Sequence, residues 1–155
     1  MRIFLPFLLV GACTNPGFSE RDIASPDLES PPVWTYALSE DEALLRHSGA
    51  GAKSTTILSC RKDGSLAVHV AAFSPVASEE RMSIGAGDVV TTLVADFRGD
   101  SVRGGVDGEA PVPGELKAIV TNPAGIHVNY GYQNIGLLPA VPAPLGDQFL
   151  KACRA

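Results

Sequence analysis

Thr55-Thr56-Ile57-Leu58-Ser59-Cys60-Arg61-Lys62-Asp63-Gly64-Ser65-Leu66-Ala67-Val68-His69-Val70-Ala71-Ala72-Phe73 is the stretch that decides the fold class of this chain. Its first six residues begin with a β-branched run, and apolar residues resume from Leu66. Between them lies Asp63-Gly64, a pair that reaches the backbone angles of a tight reversal at little steric cost. Two apolar runs joined by such a turn read as a β-hairpin.

The same logic extends in both directions. Val33-Trp34-Thr35-Tyr36-Ala37-Leu38 alternates, placing Trp34, Tyr36 and Leu38 on one face. Arg81 to Gly85 and Val89 to Phe97 flank the turn Gly85-Ala86-Gly87-Asp88, and Arg98-Gly99-Asp100 starts another turn. Val89 to Phe97 is apolar on both faces, which predicts a central place in a sheet. Leu116, Ala118 and Val120 alternate with Glu115 and Lys117 and read as a strand. Asn122-Pro123-Ala124-Gly125 then turns the chain into Ile126 to Gln133, with Ile126, Val128, Tyr130 and Tyr132 sharing a face. Ser39-Glu40-Asp41-Glu42 has the spacing of a helix capping box, although a bent strand suits Ala43-Leu44-Leu45 equally well. Leu145, Phe149 and Cys153 recur at helical spacing. The expectation is an all-β domain: a single antiparallel β-sandwich or small barrel of about seven or eight strands, with the capping-box segment and a short C-terminal helix as its two candidate exceptions.

The chain has 155 residues, enough for one core, and 45% of them are hydrophobic. Gly and Pro, 16 and 12 in number, predict many turns. A formal charge of −5, from 12 basic and 17 acidic residues, argues against nonspecific attraction to nucleic acid or to an anionic membrane surface.

The N-terminus has a different character. Met1-Arg2 supplies positive charge, and Ile3 to Val10 is apolar apart from Pro6. That is an export pattern, far shorter than the roughly 20 residues a membrane-crossing helix needs. Val10-Gly11-Ala12-Cys13 resembles the lipobox of bacterial lipoproteins. The resemblance implies cleavage after Ala12, lipid attachment at Cys13 and, with Thr14 rather than aspartate next, transfer to the outer membrane of a Gram-negative host. Ordinary signal cleavage that leaves Cys13 a free thiol is the competing reading. Pro16, Pro26, Pro31 and Pro32 among Ser, Asp and Glu read as a solvated linker. The organisation expected is a signal peptide over 1–12, lipidated cysteine and linker over 13–32, and a globular domain over 33–155.

With Cys13 assigned to lipid, Cys60 and Cys153 remain as an even pair. An oxidising compartment favours a disulfide between them. The alternative, redox-active thiols, lacks a Cys-x-x-Cys arrangement.

No catalytic motif stands out. Gly99-Asp100-Ser101 invites comparison with the Gly-Asp-Ser motif of SGNH esterases, but it lies mid-chain and no Asp-x-x-His pair follows it. Arg98-Gly99-Asp100, as an integrin-type tripeptide, is too short to carry weight. His47, His69 and His127 are the only histidines, with no two at metal-ligand spacing, so neither a metal nor a cofactor is expected. Trp34, Tyr130 and Tyr132 are the weak candidates for ligand binding, with core packing as the simpler account because Tyr130 and Tyr132 extend the apolar face begun by Ile126 and Val128. The expected function is a non-catalytic envelope lipoprotein making protein or ligand contacts in the periplasm. A small-molecule or glycan binder is the first alternative, and a hydrolase whose site is assembled only by folding is the second. The expected partners are the membrane, through the lipid, and an envelope protein or glycan, with no nucleic acid.

Overall fold

The computed structural model describes residues 33–49, 55–99 and 102–153. The signal peptide, Cys13 and the linker expected over 1–32 lie outside these residues, as do Asp100 and Ser101. The described chain forms β1 (Val33–Leu38), β2 (Glu42–Ser48), β3 (Thr55–Arg61), β4 (Ser65–Val70), β5 (Arg81–Ala86), β6 (Val89–Ala95), β7 (Val106–Pro111), α1 (Leu116–Val120), β8 (Ile126–Tyr130), β9 (Gln133–Leu138) and α2 (Ala143–Ala152).

The strands make one antiparallel sheet in the order β1-β2-β3-β4-β7-β6-β5-β8-β9, curled into a half-barrel. The all-β antiparallel class holds, while a single sheet of nine strands, curled into a half-barrel, stands where a sandwich or small barrel of seven or eight was expected. β1 to β4 form a meander. The chain then crosses to β5 and returns inward through β6 and β7, which closes against β4. β8 and β9 extend the sheet beyond β5.

The Asp63-Gly64 hairpin is present: Gly64 N–H donates to the Arg61 carbonyl at 3.0 Å, and Asp63 Oδ1 accepts from Ser65 N–H at 2.9 Å. Ser39 to Glu42 is the turn of the β1–β2 hairpin rather than a helix cap. The Ser39 backbone N–H donates to the Glu42 carbonyl at 2.8 Å, and its hydroxyl accepts from Glu42 N–H at 3.1 Å. β6 lies inside the sheet as expected, but its convex side meets solvent, leaving Val90 and Val94 exposed.

Two readings of the sequence are corrected. Leu116 to Val120 is a helix, not a strand. Ile119 is fully buried beside Leu116 and Val120, a spacing of three and four residues, while Ala118 is exposed. Ile126 to Gln133 is not one strand, because Gly131 at φ +56° reverses the chain between β8 and β9. Tyr132 therefore leaves the face it was expected to share with Tyr130 and stands 86% exposed in the turn.

The concave side holds the core. Leu45, Leu58, Leu66, Val68, Met82, Ile84, Leu93 and Val128 point inward from six strands and are essentially inaccessible. α2 seats Phe149 and Leu150 in this concavity against β1 and β2, and α1 covers β5 and β6. Cys60 and Cys153 are joined, Cα atoms 5.2 Å apart, fastening the end of α2 to β3. Among the described residues no helix is long and apolar enough to cross a membrane.

Candidate functional site

Period-two alternation sets the concave wall. β2 turns Ala43, Leu45 and His47 inward, and β3 turns Cys60, Leu58 and Thr56 inward opposite them. Ala43 and Cys60 mark the disulfide end. His47 and Thr56 pair at the other end, about 13 Å along the strand, given a rise of roughly 3.4 Å per residue. There a pocket of about 350 Å³ opens, walled by His47, Thr56, Ala72 and the β9 residues Ile135, Gly136, Leu137 and Leu138. Its volume falls at the small end of the ligand-pocket range of roughly 300–1,000 Å³.

The polar chemistry of this wall is incomplete. His47 is 5% exposed and Thr56 1% exposed. Both ring nitrogens of His47 and the Thr56 hydroxyl are buried and have no hydrogen-bond partner among the described residues. Such groups cost about 1–3 kcal/mol each when left unpaired. Burial pushes the His47 pKa below its ordinary value, favouring the neutral ring with one donor and one acceptor nitrogen. The indole of Trp34 lies against His47, ring centroids 5.0 Å apart. Its Nε1–H donates to the Pro139 carbonyl at 2.8 Å, tying the edge strand β1 to the segment between β9 and α2.

A second grouping occupies the convex face. His69 and Asp107 are cross-strand neighbours on β4 and β7, with His69 Nδ1 3.0 Å from Asp107 Oδ1. Arg103 stands 3.7 Å from the same carboxylate, and Arg61 pairs with Glu109 at 2.7 Å. These ion pairs border an open groove of about 430 Å³ floored by Ala67 and Gly108. A histidine held by a carboxylate supplies two of the three members of a hydrolytic triad. Among the described residues, no hydroxyl is hydrogen-bonded to His69, and Ser101 lies outside them.

The three histidines do not converge. His47 is concave, His69 convex, and His127 convex on β8 opposite Gly85. Among the described residues no group of three metal-ligating side chains is present. Of the ring candidates, Trp34 is 7% exposed and Tyr130 is fully buried, and only Tyr132 faces solvent. The Tyr130 hydroxyl instead holds the β4–β5 connection. It accepts from Val76 N–H at 3.0 Å and faces the carbonyls of Val76 and Glu79 at 3.1 and 3.2 Å.

His47 and Thr56 were not legible as a pair in the sequence. Their signal is a polar residue at the core-facing phase of each strand, and reading it requires β2 to be recognised as a strand. Comparison with family models, with curated proteins and with solved structures finds no match for this chain. The site's own geometry therefore carries the functional reading.

Proposed function

We propose that this protein is a lipid-tethered envelope protein whose β domain binds a small ligand at the open end of the half-barrel and performs no chemistry on it. The observation that carries the reading is the wall of the 350 Å³ pocket, where three buried polar atoms of His47 and Thr56 lack partners among the described residues, beside apolar β9 side chains. Apolar pockets with a few converging polar groups are the usual form of small-molecule sites. Glycan binding is less well supported, since it generally calls for exposed rings and only Tyr132 among the three candidates is open. Hydrolysis has the His69–Asp107 pair in its favour, but that pair lies on the opposite face from the pocket.

The envelope assignment rests on the apolar lead and on the lipobox-like Val10-Gly11-Ala12-Cys13. The Pro-rich, polar composition of the expected linker supports a pocket held off the membrane surface.

Trp34 is the only tryptophan and touches His47, so its fluorescence reports on the site. Titration with a panel of small amphiphiles should give a saturable change in emission for some members. Ala72→Phe, at an exposed position on the pocket rim, should abolish that response with the circular dichroism unchanged. A panel without any saturable response, or an Ala72→Phe variant that binds like the wild type, removes the pocket as the functional site.

A further inference from the structure

The described walls of the pocket carry no acidic or basic side chain apart from His47, whose burial disfavours the charged ring. A ligand carboxylate or ammonium entering there would surrender its hydration and meet no counter-charge. What the wall offers is uncharged and two-sided. A neutral imidazole presents one donor and one acceptor, and a threonine hydroxyl one donor and two acceptor positions. All three polar atoms are buried and lack a hydrogen-bond partner among the described residues. Cross-strand pairing of His47 with Thr56 places the two side chains side by side on one face, within reach of a single small head group. On the facing wall, Ile135 and Leu138 supply apolar surface only.

We infer that the pocket selects an uncharged amphiphile, with a hydroxyl or primary amide head that both donates to and accepts from His47 and Thr56, and with an aliphatic body lying along Ile135 and Leu138. This rests on the ligand-binding reading above and specifies the chemistry of the ligand. Selection follows from the energetic asymmetry of buried polar groups. A head that completes them removes a standing cost, and one that cannot leaves that cost in place.

The test uses the full chain carrying Cys13→Ser, purified without detergent, so that no other amphiphile competes. Trp34 emission is titrated at pH 7.5 with four probes of equal chain length: 1-octanol, octanamide, octanoate and octylammonium. Octanol and octanamide should bind at least tenfold more tightly than the two ions. Thr56→Val, which keeps the side-chain shape and removes the hydroxyl, should weaken octanol about five- to tenfold while leaving binding of the headless probe 1-chlorooctane unchanged. His47→Leu supplies a second variant with the same expectation, and thermal denaturation of both confirms that they fold.

Tighter binding of octanoate or octylammonium overturns the inference. Equal affinity for all four probes does so too, as does an octanol affinity indifferent to both substitutions; these results leave a purely apolar binding pocket. Absence of a response to every probe, 1-chlorooctane included, removes the ligand-binding reading itself.

Discussion

His47 occupies a core-facing strand position with no counter-ion among the described residues, and its pKa lies below the ordinary value near 6.5 because burial penalises the imidazolium. The unfolded chain therefore binds a proton at higher pH than the folded one. Below about pH 6.5 the unfolded state takes up more protons, so stability falls as pH drops toward the depressed folded value. The melting temperature should decline between pH 7 and pH 5, and His47→Leu should flatten that decline. An unchanged slope in the variant would assign the pH response to carboxylates instead. Tyr130 poses the opposite case, a buried polar group that is fully engaged. Tyr130→Phe leaves Val76 N–H without its acceptor and frees two carbonyls, and should cost roughly 1–3 kcal/mol in urea denaturation. A loss below about 0.5 kcal/mol would mean that water replaces the hydroxyl at the core edge.

Among the elements, α2 is the one whose position depends on a covalent link. Phe149 packs it into the concavity, and Cys153 just beyond its last turn is bonded to Cys60, 93 residues earlier. Closing a loop of that length stabilises by about 4–5 kcal/mol if the effect acts through the unfolded chain. The double variant Cys60→Ala/Cys153→Ala should lose about that much in urea denaturation, together with part of its helical circular dichroism. A loss near 1 kcal/mol would show that packing of Phe149 and Leu150 suffices to seat the helix. α1 illustrates a limit on reading elements from a short window. Leu116, Ala118 and Val120 satisfy a two-residue period, and Leu116, Ile119 and Val120 satisfy a helical one. Five residues cannot separate the two periods. What separates them is the curled sheet, which buries Ile119 against β5 and β6 and leaves Ala118 in solvent. The β8–β9 reversal was within reach of sequence reading, since a glycine opening a two-residue loop is hairpin chemistry. It was masked by the apolar alternation running up to Tyr130 and on to Tyr132.

At the scale of the whole molecule, the reading joins a tether to a pocket. Export, lipid and linker would hold the half-barrel near a membrane surface that its charge of −5 does not itself attract. Expressed in a Gram-negative host, the wild type should incorporate labelled palmitate and fractionate with the outer membrane. Cys13→Ser should appear in the soluble periplasmic fraction. A wild type without label, or a variant that stays on the membrane, would place any anchor elsewhere.

The sequence by itself determined the strand-rich class, the Asp63-Gly64 hairpin, the C-terminal helix and the pairing of Cys60 with Cys153. Each of these follows from neighbours along the chain or from simple arithmetic: period-two alternation, turn dipeptides, helical spacing and an even number of cysteines once Cys13 is assigned to lipid. Tertiary structure alone decided that nine strands form one curled sheet, that β7 closes against β4, and that β9 comes to face His47 and Thr56 across a cavity. Those outcomes depend on contacts between segments roughly 40 to 90 positions apart, whose closure carries an entropic cost scaling only weakly with loop length, so local pattern scarcely discriminates among the possible pairings. A histidine on a strand reads the same whether a neighbour satisfies it or not, and only the fold reveals that this one is left unpartnered among the described residues.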